Sequence, residues 1–184
     1  YLTVPVKKKG KRFQQIREVR VFSNDFFEEH LKIIKHSYSN SKYFDEIFPQ
    51  FEEIKYKISK INSLSEINII LIKKICEIIK IDSDFKKSSD INTLGDKTSK
   101  IINICNKLKI NQYLTVTDAK EYIESDLELF KNHNVKVLIQ HYENKKYSQM
   151  SNVFISKLSV LDLIFNEGPN SLKIIRSGFN NEIL

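Results

Sequence analysis

The chain of 184 residues has the length of one domain, and hydrophobic residues make up 41% of it, enough to form a core. Charged residues make up 29%, which argues against a membrane protein and against a disordered chain. No run approaches the roughly 18 apolar residues that a membrane-spanning helix needs, so none is predicted. Cys76 and Cys105 form no CxxC pair, which argues against a disulfide framework or zinc site and is typical of reduced thiols in the cytoplasm.

The net charge of +7 is concentrated at the start of the chain. Residues 1–20 hold seven basic residues against one acid, Glu18, and so carry +6 of it. Such a patch can attract phosphates, nucleotides or nucleic acid. It can equally be the solvated tip of a hairpin. Because the patch is confined to one loop, the sequence argues against nucleic acid as a partner.

The first forty residues predict a β-hairpin followed by a helix. Residues 1–6 and 16–22 read as strands, and the Lys/Gly-rich segment 7–12 is the loop between them. Asn24 or Asp25 caps a helix whose apolar residues recur at helical spacing: Phe27, Leu31, Ile34 and Tyr38. The opening in a strand pattern, without Met, predicts that earlier residues are missing.

Two more helices and a polar segment are predicted next. The spacing of Phe44, Phe48 and Phe51 is helical, and Pro49 is expected to begin a new helical turn. Ser63 precedes Glu66 by three residues, which is the spacing of a capping box, and the helix runs to about Lys80. Residues 81–94 are polar and predict a short strand or an extended loop.

From residue 95 onward helices and strands alternate. The predicted elements are a helix from Gly95, a strand at 112–116, short helices from Thr117 or Asp118 and over 126–133, a strand at 135–139, and helices at 158–165 and 171–177. This order favours parallel pairing. The predicted fold is α/β, a mixed sheet with flanking helices, with an N-terminal β-hairpin followed by a helical segment. It forms one domain over residues 1–184.

Polar residues around the helix start at Gly95 are a candidate anion site. A helix N-terminus presents free N–H groups and partial positive charge, which attract phosphate. The alternative is that the same residues only cap the helix and bond within the loop. The residues concerned are Ser88, Ser89, Lys97 and Thr98.

A second cluster follows the clearest strand. His141 comes at the strand end, where α/β proteins place ligand-contacting groups, and could act as a general acid or base. The alternative is a histidine that hydrogen-bonds to backbone. Gln140, Tyr147 and Gln149 lie nearby in sequence.

Asp162 is the one carboxylate in an apolar helix. It could orient His141, a tyrosine or a substrate amine. Alternatively it serves only the start of its helix, three residues after Ser159. The histidines and carboxylates show no metal-ligand spacing, so no metal is predicted, and no cofactor is predicted either.

The chain resembles the WbqC-like family, bacterial proteins associated with O-antigen and other surface-polysaccharide gene clusters. The similarity is carried by the order and spacing of several pieces: residues 2–6 before a Lys/Gly-rich turn, 43–45 with Phe48-Pro49, 88–90, 95–98, Ile104-Cys105 with Leu108, Tyr113-Leu114, and 140–168. The family's His-Gln-Pro-Asn-Tyr-like segment and its Trp are absent, which predicts an N-terminally incomplete domain.

The resemblance implies a role in surface-polysaccharide (lipopolysaccharide) synthesis. The function it suggests is acyl or aminoacyl transfer onto a nucleotide-linked amino sugar in the cytoplasm. His141, Asp162 and Tyr147 are then the catalytic candidates, and the substrate-binding candidates are Ser88, Ser89, Lys97, Thr98, Gln140 and Gln149. The alternative is a protein of the same pathway that binds a glycan precursor or a partner without catalysis.

Overall fold

The computed structural model describes residues 1–7, 9–11 and 13–183, so Lys8 and Arg12 of the predicted basic loop lie outside the described residues. The chain is divided between two units. The first is built from residues 1–82 and 146–174, and the second from residues 83–145 and 175–184. The single domain predicted over residues 1–184 stays a prediction.

The elements mix helix and strand, as the predicted α/β class requires. Short 3₁₀ turns lie at Ile16–Glu18, Thr117–Ala119 and Gly168–Asn170. The helices and strands are α1 (Phe26–Tyr38), α2 (Phe44–Ser59), α3 (Leu64–Ile78), α4 (Ser88–Ile91), α5 (Lys97–Leu108), β1 (Gln112–Val116), α6 (Lys120–Glu124), α7 (Leu127–Asn132), β2 (Lys136–Tyr142), α8 (Val160–Glu167), α9 (Ser171–Ser177) and β3 (Phe179–Ile183).

The predicted N-terminal β-hairpin is wrong. Val6 and Val21 form only an isolated antiparallel bridge, and residues 16–18 form a 3₁₀ turn instead of a strand. Pro5 has no N–H to donate to a ladder, although its carbonyl accepts from Phe22. The Val21 N–H points away from Val6 and donates to the Asn62 carbonyl. Local alternation therefore produced one bridge but no ladder, because Pro5 lacks a donor and residues 16–18 turn as a 3₁₀ helix.

The first unit is a layer of helices whose apolar faces meet. The helical spacing predicted for α1 and α2 is confirmed: Phe27, Leu31 and Ile34 are buried on α1, and Phe48 and Phe51 are buried on α2, whereas Tyr38 and Phe44 are only half-buried. Pro49 does not begin a new turn but lies inside a continuous α2. The Ser63 cap is also confirmed, since its side chain accepts from the Glu66 N–H at the start of α3. Phe165 of α8 is fully buried, and its ring stacks on Tyr38 with centroids 4.9 Å apart. This packing fixes α8, the helix that carries Asp162.

The second unit contains a three-stranded mixed sheet in the order β1-β2-β3. The predicted parallel pairing is confirmed: β1 and β2 run in the same direction, with Gln112 opposite Lys136 and Val116 opposite Gln140. Its core gathers around Phe130 and Ile139, which are both fully buried.

Two elements of the second unit were not predicted. Residues 88–91 form the short helix α4 in the segment expected to be extended. The last strand, β3, pairs antiparallel with β2, with Ile139 opposite Glu182 and His141 opposite Asn180. The Asn-rich sequence of β3 has low β-propensity, and only its pairing with β2 makes it a strand.

Candidate functional site

Asp162 lies at the third position of α8 and its side chain is buried. Ser159 caps the helix by accepting from the Leu161 N–H, and the Asp162 N–H donates to the Ser159 carbonyl. The Asp162 residue is only 6% exposed. The Asn166 side chain, one turn later, donates to the Asp162 backbone carbonyl. Position in the first turn therefore explains the backbone of Asp162, but it leaves the carboxylate to other partners.

The carboxylate of Asp162 accepts hydrogen bonds from the irregular segment that precedes α8. The Tyr147 hydroxyl donates to Oδ2 across 2.7 Å, and the Gln149 Nε2 donates to the same oxygen across 2.9 Å. Two residues that follow His141 in the sequence, Tyr147 and Gln149, therefore form a cluster with Asp162. Of the partners considered for Asp162, a tyrosine is the one that the geometry provides.

Gln149 fixes the shape of that segment as well. Its Nε2 donates to the Ile155 carbonyl and its Oε1 accepts from the Ile155 N–H, at 2.9 and 2.7 Å. The Tyr147 ring meets Phe154 edge to face. The cluster thus anchors residues 146–159 to α8, because a buried carboxylate is stable only when donors satisfy it.

A second tyrosine, Tyr38 of α1, approaches the same carboxylate. Burial, followed by the charge of Asp162 and a hydrogen bond to it, raises the pKa of Tyr38 to about 12. Burial and the hydrogen bond to Asp162 also raise the pKa of Tyr147 well above its usual 10.0. Both hydroxyls therefore stay protonated near neutral pH and act as donors. They are poorly suited to be bases.

His141 lies near the end of β2 in the second unit, and its partner is Glu182. The His141 Nε2 is 3.0 Å from the Glu182 Oε2, and both side chains are 41% exposed. Among the residues that the structure describes, the Nδ1 of His141 makes no hydrogen bond. The carboxylate hydrogen-bonded to His141 is thus Glu182, and the carboxylate of Asp162 is bonded within the other unit.

Lys120 joins this second cluster. Its Nζ donates to both oxygens of Glu182, at 2.9 and 3.0 Å, and lies 3.9 Å from Glu124. The hydrogen bonds from Lys120 and His141 lower the pKa of Glu182 below its usual 4.5. Sequence reasoning missed both Lys120 and Glu182. The basic residue after β1 was a weak signal, and nothing local marked Glu182.

The helix start at α5 is occupied by its own cap. The Asp96 side chain accepts a hydrogen bond from the Ser99 N–H. In return the Asp96 N–H donates to the Ser99 Oγ across 3.2 Å. A carboxylate already meets the positive end of this helix, which favours the capping alternative. Thr98 is buried and its hydroxyl donates to Asp126.

The remaining predicted binding residues are placed as follows. Lys97, Ser88 and Ser89 are exposed, and the Ser89 hydroxyl donates to its neighbour Asp90 across 3.1 Å. Gln140 lies within β2, one residue from His141, so the two side chains point to opposite faces of the sheet. A role in binding substrate stays a prediction for all of them.

Across residues 1–7, 9–11 and 13–183, no three histidine, cysteine, aspartate or glutamate side chains gather as a metal site would require. Within the same residues, every helix is too short or too polar to cross a membrane.

The chain is similar to a known bacterial protein and to a known protein family. It is 28% identical to the Mycobacterium tuberculosis (strain ATCC 25618 / H37Rv) protein Rv1507c, described as uncharacterized, over 177 residues that cover 96% of this chain and 75% of the relative. No solved structure matches it significantly. Residues 1–174 match the WbqC-like protein family, and they include Tyr147, Gln149 and Asp162 as well as His141. The chain belongs to the WbqC-like protein family.

Proposed function

We propose that the chain is an enzyme of bacterial surface-polysaccharide (O-antigen) biosynthesis that transfers an acyl or aminoacyl group onto the amine of a nucleotide-linked amino sugar. The observation that carries the proposal is the His141–Glu182 pair. One ring nitrogen of His141 lies 3.0 Å from a carboxylate, and the other makes no hydrogen bond within the described residues. A histidine held in this way can accept a proton at its second nitrogen.

The proposed transfer to the amine requires a general base. The amine of an amino sugar attacks the carbonyl carbon of an activated ester or thioester, so the C–N bond forms as the bond to the leaving group breaks. The amine proton passes to His141, which returns it to the leaving group. Because the donor is already activated, no nucleophilic residue of the protein is required.

Asp162 and Tyr147 have a structural role within the first unit. Their hydrogen bond, together with Gln149, holds residues 146–159 against α8. Since Tyr147 stays protonated, it can donate a hydrogen bond but cannot serve as the base. Of the three catalytic candidates, His141 is the proposed proton acceptor, and Asp162 and Tyr147 stabilise the fold of the first unit.

Residues near α5 and β2 are the proposed contacts for the rest of the substrate. Lys97 offers a cation to a nucleotide phosphate, and the hydroxyls of Ser88 and Ser89 offer hydrogen bonds. Gln140 is the candidate for a sugar hydroxyl. Thr98 acts indirectly, by bonding Asp126 and fixing the start of α5.

The proposal is tested with the full-length protein and a panel of nucleotide-linked amino sugars with activated acyl or aminoacyl donors, read by mass spectrometry. His141→Ala is expected to abolish the product with unchanged thermal unfolding. His36→Ala, a change of an exposed histidine on α1, is the matched control and should retain turnover. Full turnover by the His141→Ala protein would remove His141 from the mechanism.

One observation favours the alternative, a protein that binds a glycan precursor without catalysis. The Asp162 oxygen that contacts Tyr147 and Gln149 is satisfied within the protein, and both tyrosine hydroxyls are held protonated. An enzyme and a binding protein differ in the same assay. A nucleotide-linked sugar that raises the melting temperature, but yields no product with any donor after long incubation, would identify the binding protein.

A further inference from the structure

The carboxyl ends of the two parallel strands bring together a lysine, a glutamate and a histidine. Lys120 begins α6, which follows β1, and His141 lies near the end of β2. In a parallel pair these ends meet at one edge of the sheet, where α/β proteins place ligand-contacting groups. Glu182, on the antiparallel β3, makes hydrogen bonds with both Lys120 and His141.

Strand register explains why Glu182 reaches His141. Ile139 lies opposite Glu182, and His141 lies opposite Asn180. Side chains alternate faces along a strand, so Ile139, His141 and Glu182 share one face of the sheet. Ile139 is fully buried, whereas His141 is 41% exposed. The shared face is therefore buried at Ile139 and exposed at His141. Glu182 contacts His141 at the exposed end.

We propose that Glu182, held by Lys120, is the positioning residue for His141. It fixes the neutral ring as the tautomer with the proton on Nε2 and leaves Nδ1 to accept the proton from the attacking amine. The inference rests on the proposed function only for the identity of that amine. The tautomer and orientation of the His141 ring are properties of the protein without substrate.

The charge state of Glu182 decides the direction of the hydrogen bond. Lys120 and His141 lower the pKa of Glu182, so it is ionised at neutral pH and can only accept. The ring nitrogen that faces it must then carry a proton. In neutral imidazole the other nitrogen has the lone pair, which makes it the proton acceptor.

Lys120 keeps the glutamate in place. It donates to both oxygens of Glu182, and one of these oxygens also meets His141. A glutamate side chain on an edge strand would otherwise sample several rotamers. The family match ends at residue 174, so the orienting carboxylate lies beyond the matched residues.

The first test reads the ring itself, by long-range ¹H–¹⁵N NMR of the full chain at a pH where His141 is neutral. In the unmodified protein the ¹⁵N shifts should identify a protonated Nε2 and an unprotonated Nδ1. Glu182→Ala should move both shifts toward the average of exchanging tautomers, and Glu182→Asp should restore part of the difference. Lys120→Met should shift them in the same direction, whereas Lys136→Met, at an exposed position on β2, should not.

A protonated Nδ1 in the unmodified protein, or unchanged shifts in the Glu182→Ala protein, would overturn the proposal. Should the Ala variant fold poorly, Glu182→Asp and Lys120→Met still give the comparison. This measurement needs no substrate, so it decides the role of Glu182 even where no transfer is detected.

The second test uses turnover, where transfer is detected. General base catalysis contributes about 10²–10⁴-fold to a rate. In Glu182→Ala, kcat should fall by a large part of that factor, with little change in KM. Glu182→Asp should recover some of the loss. Equal kcat in the Ala variant would overturn the positioning role. Absence of transfer, with the expected tautomer, would reject the proposed function alone.

Discussion

The hydroxyl of Tyr147 donates to the carboxylate of Asp162 across 2.7 Å, although fifteen residues separate them in sequence. The two residues lie on different kinds of structure: Asp162 is in the first turn of α8, and Tyr147 is in an irregular segment. Their hydrogen bond therefore anchors residues 146–159 to α8.

Replacing Asp162 should make Tyr38 and Tyr147 easier to ionise. The charge of Asp162 contributes to the raised pKa of both, after burial. Asp162→Asn is expected to lower both pKa values toward 10, although burial keeps them above it. Phenolate absorbance during a pH titration measures the change, and Asp45→Asn, at an exposed position on α2, is the control. Superimposable titrations of the two variants would contradict the assignment.

The same pKa shifts give a dependence of stability on pH. Tyr38 has a folded-state pKa raised from 10.0 to about 12. A raised pKa contributes stability that is fully present below the unfolded value, near 10, and is lost as the pH rises through about 12. The urea concentration at the unfolding midpoint should therefore fall between pH 9 and pH 12. It should fall less steeply in Asp162→Asn. An equal slope in both proteins would argue against the coupling.

Removing the Tyr147 hydroxyl should loosen the anchored segment. Tyr147→Phe deletes one donor to a buried carboxylate, and a hydrogen bond to a charged group contributes about 1.5–3 kcal/mol. We expect a loss of that order in the free energy of unfolding and faster amide exchange in residues 146–159. Tyr56→Phe, at a residue that is 70% exposed, should change neither. Unaltered exchange in the Tyr147 variant would show that Gln149 alone holds the segment.

Gly168 should not tolerate a side chain. It ends α8 with φ of +48°, and a Cβ there would lie 2.6 Å from the Tyr43 ring. Gly168→Ala is expected to cost roughly 1–3 kcal/mol for the backbone and a similar amount for the overlap. Gly10→Ala is the matched control, because Gly10 also has a positive φ, of +71°, but no atom of the described residues lies within 4 Å of its added Cβ. Equal losses in denaturant unfolding would show that the Tyr43 ring yields freely.

Glu182 should titrate below its usual pKa for as long as Lys120 is present. The hydrogen bond from Lys120 is the largest cause of the lowering, followed by that from His141. A lowered pKa contributes stability that is present above about 4.5 and is lost as the pH falls through the folded value. NMR titration of the Glu182 carboxyl carbon should show an upward shift of its midpoint in Lys120→Met and none in Lys136→Met. A midpoint unmoved by Lys120→Met would contradict the pairing.

The candidate site was only partly predictable. Tyr147, Gln149 and Asp162 stood out as polar residues beside an apolar helix, and a buried polar group must find partners nearby. The partner of His141 was not predictable in this way. Glu182 lies 41 residues further along the chain, and its strand has a sequence that favours no strand.

Local signals in the amino-acid sequence were enough to predict the apolar periodicity of α1 and α2, the Ser63 cap, and the parallel order of β1 and β2. Only the folded structure established that Val6 and Val21 form an isolated bridge in place of a hairpin, and that Glu182 meets His141. Periodicity and capping depend on residues within a turn or two of one another. Strand pairing and side-chain partnerships depend on which distant backbone groups compete for the same hydrogen bonds, and that competition is settled only when the chain has folded.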